Sequence, residues 1–452
     1  MPVIPTILEG AAHSTSNPTV ELPLADSDFT LDASGVAGFF GGDVAVSAMA
    51  TVHVYRGRRW LGWYNTPGSY EIGKRYGILA NSRVWDGIFP GANVEPAELF
   101  GLNNLKGPTY RGAKSGSVID QTGHIAALFV DECKDHKPKE IDGRQSAPVG
   151  VTVVKLNPVE KEMYPTLLRT YSGILALLPI LVSVGACVGC ALVADWITFV
   201  MILYGIFTSG IACFVIGSGK LKYTHPEPAP GAPSGDGILT ASNGEIIVLK
   251  GAEADVNAVT RGQFCLSFYG EPKYSMIGWA GLLLTVQFVA QLLLIPQGTL
   301  FGQILFIGSL AVSWMYNSYL SSLDSMLIQR KILMDSILRH PRMRKYSLGT
   351  RTTMAVFVML ILEPVEPLKF LNELIPNDTL VWRVFKQAVV DRMQSKEGFG
   401  FDAEVDAVIL GKDLNDQEKE LLLTLFKDAE SGYEGWLQHS ASFHSEAEKK
   451  SV

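Results

Sequence analysis

Four groupings in this 452-residue chain bring together residue types that could do chemistry. Cys187-Val188-Gly189-Cys190 has the spacing of a redox pair or of half a zinc site, but either use needs more ligands or an exposed thiolate. It lies inside an unbroken apolar run with no second cysteine pair. The small residues there fit packing better, because Gly185 and Gly189, four apart, let two helices approach closely. Cys133 and His136 in DECKDH are a lone pair of candidate ligands in what reads as a solvated loop. Gly217-Ser218-Gly219-Lys220 has the ending of a phosphate-binding loop, yet Phe214 stands where the first glycine belongs and Leu221 where a Ser or Thr would hold magnesium. Gln287 and Gln291 share one face of an apolar helix. They could line a polar path, but hydrogen bonding between helices is the commoner use of such side chains and the favoured one here. None of the eight histidines falls in an HExxH-like pattern. The expectation is therefore no catalytic residue, no cofactor and no metal.

The elements that would position these residues are mostly hydrophobic. Only 18% of residues are charged and mean hydropathy is +0.19, against about 25% charged in soluble domains. The shortfall is local. No charge occurs from Thr170 to Ala194, none from Trp196 to Gly219, and none from Tyr274 to Leu323. A helix crossing about 30 Å of hydrocarbon needs roughly 20 apolar residues, so the sequence predicts four membrane-spanning helices: Tyr171–Ala194, Trp196–Gly217, Met276–Ile295 and Leu300–Leu320. Asp195 and Pro296-Gln297-Gly298 supply the two short turns. No Asp, Glu, Lys, Arg or His lies within these spans, which argues against ion-coupled transport and proton relay.

Lys155, Lys161 and Arg169 precede the first span, Lys220, Lys222 and Lys273 lie in the central loop, and Arg330, Lys331 and Arg339 follow the fourth. Both termini and the central loop are therefore expected on the cytoplasmic side. MPVIPTILEG lacks the pattern of a cleaved signal peptide, so insertion is expected to rely on the first span. The net charge of −7 and pI near 5.7 speak against nucleic acid as a partner. Three of the five cysteines lie in the spans, which leaves no disulfide framework.

The predicted fold is a membrane all-α core of two helical hairpins with a cytoplasmic β-rich α+β region and a helical C-terminal region. Residues 1–30 read as disordered and 31–165 as a β-rich domain. In that domain Val44, Val46, Ala48, Ala50, Val52 and Val54 alternate as in a strand, the rival reading being a fifth span over Gly35–Tyr55. Ser117–Val130 reads as two strands about a Thr-Gly turn. Residues 171–217 hold spans one and two. The loop 218–275 opens on a Pro/Gly-rich linker, His225–Gly237, and continues into a hairpin about Asn243-Gly244 over Gly237–Leu249. A helix at Glu253–Val259 and a strand at Gln263–Tyr269 follow, and the hairpin and Ser117–Val130 are expected to share one domain. After spans three and four (276–320), residues 321–351 read as a helical extension with a basic collar. Thr352–Leu362 is too short to span and suits a buried core or interfacial helix, at the start of an acidic helical region, 352–452.

Within the collar, Arg339, Arg342, Arg344 and Lys345 are candidate contacts for anionic lipid; the alternative is the ordinary positive flank of a span. The strings HPEPAPGAPSGDG, LLLIPQGTLFGQ, SYLSSLD and KYSLGTRTTM resemble a group of uncharacterised multi-pass membrane proteins of basidiomycete fungi, from about Tyr171 to Leu362. The resemblance implies architecture and carries over no site residue. The functional expectation is a cytoplasm-facing scaffold that binds lipid, protein partners or further copies of itself. Its alternatives are an oligomeric channel or facilitator for a small neutral solute and, third, a lipid-acting enzyme.

Overall fold

The computed structural model describes residues 40–449 apart from 92–93, 170, 272, 396–398, 401 and 413, together with residues 22–24 and 27. The expected disordered start, 1–30, thus falls almost wholly outside the described residues. Two compact units emerge. The first joins Met1–Leu102, Thr166–Lys222 and Cys265–Gln329; the second joins Asn103–Pro165, Tyr223–Phe264 and Arg330–Val452. The block expected as one domain over 31–165 is accordingly divided, its first part folding with the apolar helices.

In chain order the helices are α1 (Gly42–Ala50), α2 (Ser69–Gly77), α3 (Arg83–Ile88), α4 (Pro96–Leu99), α5 (His124–Lys134), α6 (Ser172–Leu192), α7 (Trp196–Ile216), α8 (Glu253–Thr260), α9 (Ser275–Leu294), α10 (Leu300–Ser321), α11 (Ser325–Ile332), α12 (Arg351–Leu362), α13 (Pro367–Leu374), α14 (Leu380–Gln394), α15 (Ala403–Leu410) and α16 (Asp416–Lys449). The strands are β1 (Thr109–Gly112), β2 (Val118–Ile119), β3 (Lys139–Glu140), β4 (Val149–Lys155), β5 (Glu162–Met163), β6 (Lys220–Thr224), β7 (Gly237–Thr240), β8 (Ile246–Lys250), β9 (Gln263–Ser267) and β10 (Arg342–Leu348).

In the first unit α6, α7, α9 and α10 are long and apolar enough to cross a membrane, and their limits lie within a few residues of the predicted ones. Each end that needs a stop has one. The Asp195 carboxylate accepts from Thr198 N (3.1 Å) and caps α7, Thr299 Oγ1 caps α10 through Gly302 N (3.1 Å), and Pro296 sits in a single 3-10 turn, Ile295–Gln297. Cys190, Ile202, Ile295, Phe306 and Leu310 are fully buried where the four helices meet.

Two expectations in this unit are corrected. Residues 42–50 are helical, not a strand, and too short for a fifth span; Gly35–Phe39 lie outside the described residues. The sequence supports both periods, since Ala45, Ala48 and Met49 also fall at i, i+3, i+4 and, with Gly42, are the residues buried. Against apolar neighbours, as where Ala48 packs with Tyr316 and Leu320, a segment that bonds its own backbone is favoured over a lone strand. The fourth long helix also does not run on into the next segment. It ends at Ser321, and Asp324 Oδ1 accepts from Met326 N (2.9 Å) and Leu327 N (3.1 Å) to start α11 afresh.

The second unit is built on a seven-stranded mixed sheet in the order β2-β1-β7-β8-β4-β10-β3. The Asn243-Gly244 hairpin forms as expected. Gly244 has φ +84°, the Asn243 side chain accepts from Glu245 N (3.1 Å), and Ile238 pairs with Val248. Val118–Ile119 lies in the same sheet, so the two segments do share one domain. The second strand expected about the Thr-Gly turn is instead helix α5, where Ile125, Leu128 and Phe129 are buried at helical spacing.

Both faces of the sheet are covered. On one, Val151, Val153, Ile246, Val248, Tyr346 and Leu348 pack against α12 and, beyond it, Leu422, Leu425 and Phe426 of α16. On the other, Val154, Leu249, Ile247 and Leu239 are buried, and Cys133 of α5 touches Met343, the β10 neighbour of Val154. Thr352 to Leu362 are all buried, so this segment is the core helix of the two readings offered for it. A helix apolar all round needs cover on every side.

Candidate functional site

The most unusual feature lies inside the first unit, where the chain before α2 threads among the apolar helices. Arg58–Trp60 form one 3-10 turn, residues 61–67 are neither helix nor strand, and Gly68, at φ +71°, turns the chain into α2. Successive contacts trace the path along α7: Arg58 meets Cys213 near its end, the Trp63 ring packs on Gly210, and the Asn65 amide reaches Gly205 at its midpoint. A Cβ at either glycine would overlap the segment. Helix α2 then returns along α9, with Tyr70 on Phe288 (5.3 Å between ring centroids) and Gly73 so close that a Cβ would lie 2.7 Å from the Gly281 carbonyl. The segment therefore enters and leaves at the same end of the bundle.

Non-helical backbone buried among apolar helices must find partners within the protein. Asn65 is the node. Its N–H donates to Ser183 Oγ of α6 (3.1 Å), its Nδ2 to Ser309 Oγ of α10 (3.1 Å), and its Oδ1 accepts from Gln291 Nε2 of α9 (3.2 Å). Gln291 Nε2 also donates to the Met201 carbonyl of α7 (3.2 Å), while its Oε1 accepts from Gln287 Nε2 (3.3 Å). Thr208 Oγ1 of α7 donates to Gln287 Oε1. One asparagine on a non-helical segment thus joins three of the long helices directly and the fourth through Gln291. A second cluster continues toward the near end. Tyr64 OH donates to Asn317 Oδ1 (2.8 Å), Asn317 Nδ2 to Thr66 Oγ1 (3.2 Å), and Arg58 Nη2 to Tyr64 OH (3.4 Å). At the opposite end Asp195 also accepts from Thr299 N (2.9 Å) and Thr299 Oγ1 (2.6 Å), which latches the two hairpin turns together.

Gln287 and Gln291 thus share a face, as predicted, and both are 0% exposed, bonded to protein groups. Gly189 packs on Leu305 of α10, whereas Gly185 is exposed and a Cβ there would meet nothing within 4 Å. Of the pair, only Gly189 makes a packing contact among the described residues; closer approaches are made by Gly205 and Gly210 of α7 and Gly302 of α10. Cys187 and Cys190 are buried in the core of the long helices, beside Ile202 and Phe306. Cys133 is buried in α5, and burial pushes its thiol up. Among the described residues no three His, Cys, Asp or Glu side chains are grouped to hold a metal.

Part of the segment expected as a helical extension with a basic collar is instead a strand of the sheet. Arg342, Arg344 and Lys345 lie on β10, which pairs along its whole length with β4. The Lys345 side chain is only 7% exposed and pairs with Glu245 (2.9 Å). Arg330 pairs with Glu132 (3.2 Å) and Asp135 (2.8 Å), and Arg339 with Glu160 (3.4 Å). Lys345 is thereby withdrawn from the set that could meet lipid. The strand was hidden because its charged residues interrupt the apolar alternation.

On the sheet's α12 face the second unit opens a cleft of about 660 Å³. Met354, Phe370 and Leu374 supply apolar lining, with Arg111, Arg351 and Glu373 beside them. Arg111 is ion-paired with Glu373, and Arg351 Nε donates to the Leu374 carbonyl (2.8 Å).

No protein-family model, no curated protein and no solved structure matches this chain. The site stands on its own geometry.

Sequence reasoning found the two glutamines and missed their partners. Ser309, Ser313 and Asn317 of α10 are spaced by four, a polar stripe legible in an apolar run. Asn65-Thr66-Pro67-Gly68 carries strong turn chemistry. Nothing in the sequence joined the two signals.

Proposed function

We propose that this chain is an integral multi-pass membrane protein that acts as a scaffold, its four long helices forming a rigid anchor and its α/β/α unit binding partners. The observation that carries this reading is the closure of the polar core, in which Asn65, Gln287 and Gln291 are fully buried and bonded to protein groups. Side chains so engaged serve packing, which leaves the work to surfaces outside the bundle. The cleft beside Arg111, Arg351 and Glu373 is the partner surface this reading favours, because it joins apolar lining to charges able to orient a ligand. In the sequence, lysines and arginines precede the first long helix, lie between the second and third and follow the fourth, which supports a cytoplasmic position for both termini and for this unit. The likeness to basidiomycete membrane proteins is part of the same proposal.

Proximity labelling from the C terminus in native membranes tests it. The reading expects a reproducible set of cytoplasmic neighbours that is depleted by Arg351→Glu with membrane insertion intact. An unchanged set removes the cleft from the proposal, and labelling confined to the opposite compartment ends it.

A second reading, a facilitator for a small neutral solute, draws on the non-helical segment at mid-bundle and on the hydroxyls of Ser69 and Ser313, both buried without a hydrogen-bond partner among the described residues. Solute flux in proteoliposomes that disappears in the Gln287→Leu, Gln291→Leu double variant would favour it over the scaffold.

A further inference from the structure

The segment that threads the bundle begins with three arginines in five residues, Arg56-Gly57-Arg58-Arg59-Trp60. Arg58 is 3% exposed, and among the described residues no acid pairs with it. Nη1 lies 3.8 Å from Cys213 Sγ, Nη2 is 3.4 Å from Tyr64 OH, the guanidinium sits 5.5 Å from the Tyr316 ring centroid, and Nε has no partner. A buried guanidinium compensated only by dipoles and a ring face leaves a fixed positive field. Arg59 extends that charge to the outer surface. Its guanidinium lies 5.3 Å from the Trp60 ring and 5.5 Å from that of Phe214, near the end of α7. The two rings pack on each other at 4.7 Å, yet Trp60 is 53% and Phe214 36% exposed, so they form an aromatic patch facing outward from a helix long enough to span. Neither arginine has an ion-pair partner among the described residues. The end concerned is the one followed by Lys220, opposite the Asp195 turn.

We infer that Arg59, backed by the buried charge of Arg58 and flanked by Trp60 and Phe214, is a binding site for the headgroup of an anionic phospholipid. The inference rests on the reading that the four long helices span a membrane. The chemistry selects a lipid over a free anion. A phosphate or carboxylate meets the Arg59 donors, while the first carbons of the acyl chains cover two exposed rings that a free anion would leave bare. Aromatic residues at this level are typical interface anchors, and the neighbouring cations supply preference for charge. This shifts the lipid contact from the collar to the start of the threaded segment.

Native mass spectrometry of the full chain in neutral detergent, titrated with phosphatidylserine and phosphatidylcholine of the same acyl composition, provides the test. Phosphatidylserine should be retained about fivefold more strongly, the effect of one well-placed charge. Arg59→Gln should abolish that preference, Arg59→Lys should keep most of it, and Arg342→Gln with Arg344→Gln should leave it unchanged. A preference that survives Arg59→Gln, or that excess inorganic phosphate removes, overturns the site. On the unaltered chain, photo-crosslinking with a headgroup-diazirine phosphatidylserine should mark residues 56–60 or 214–220. Adducts only at 339–345 overturn it independently of any variant. Alkaline carbonate extraction keeps the two readings apart: a chain released to the supernatant ends the spanning reading, whereas an embedded chain without lipid preference ends only this one.

Discussion

Asn65 Nδ2 lies 3.1 Å from Ser309 Oγ although 244 residues separate them, and that bond ties a non-helical segment to the midpoint of a long apolar helix. Asn65→Leu keeps the approximate volume and removes this bond together with the one from Gln291. Interhelical bonds of this kind contribute about 0.6 kcal/mol on average and up to about 1.7. The variant should lose roughly 2 kcal/mol of resistance to unfolding in detergent, and Ser309→Ala well under half of that. Equal stability of Asn65→Leu and the parent would show that apolar packing alone seats the segment.

The glycines of the bundle should separate into two classes. Gly205→Ala forces a methyl into the hydrogen-bonded amides of Asn65 and Gln291 and Gly210→Ala into the Trp63 ring, and overpacking costs about 1–3 kcal/mol. Gly185→Ala and Gly308→Ala meet open space and should stay within about 0.5 kcal/mol of the parent or gain slightly from helix propensity. Thermal unfolding of the four purified variants decides this, and a loss at Gly185 would indicate contact with a second copy.

Asp195→Ala removes a helix cap and three further bonds, to Thr198 Oγ1, Thr299 N and Thr299 Oγ1. A cap alone contributes about 1 kcal/mol, so a loss of roughly 2–3 kcal/mol is expected. It should be accompanied by faster proteolysis in the two short turns, measured on inverted and right-side-out vesicles. Asp195→Asn should recover part of the loss.

Two buried histidines predict a pH dependence. His439 Nδ1 lies 2.9 Å from Tyr346 OH, and burial, with the charges of Arg344 and Lys250, pushes its pKa down to about 4. Burial also lowers His53 to about 4, partly opposed by the Gly219 carbonyl 3.1 Å from its Nδ1. The unfolded chain binds these protons near pH 6.5. Their contribution to stability is therefore complete above pH 6.5, falls as pH drops toward 4, and is level below that. The slope is at most about 1.4 kcal/mol per pH unit for each histidine. Unfolding measured from pH 4 to 7 should show a shallower slope in His439→Phe, and an identical slope would refute the assignment.

In the second unit Asp428, 1% exposed at its side chain, accepts from Arg144 Nε (3.1 Å), Arg144 Nη2 (2.6 Å) and Thr350 Oγ1 (3.1 Å). Arg144→Met strands the carboxylate. Because Arg144 is half exposed, the cost should fall below that of a fully buried pair, at about 2 kcal/mol. Adding Asp428→Asn should restore part of it in chemical denaturation, and strict additivity would show that the two side chains do not interact.

The sequence by itself determined the elements whose signal is local. The uncharged runs are long enough for four helical crossings of about 20 residues each, Asn243-Gly244 signals a hairpin, and Thr352–Leu362, mostly apolar and too short to span, suits a buried or interfacial helix. Tertiary structure decided whatever depended on a neighbour. Val44–Val54 satisfied both strand and helix periods, and packing beside Tyr316 and Leu320 selected the helix. Arg342, Arg344 and Lys345 read as lipid contacts or a membrane flank until Thr152–Lys155 paired with them as a strand. Gln287 and Gln291 were legible as a polar face because both lie on one helix, four residues apart. Asn65 was not, because the groups that make it central, Ser183, Gln291 and Ser309, stand 118 to 244 positions away. Hydrogen bonds act over about 3 Å of space, and only the folded chain brings those groups within reach.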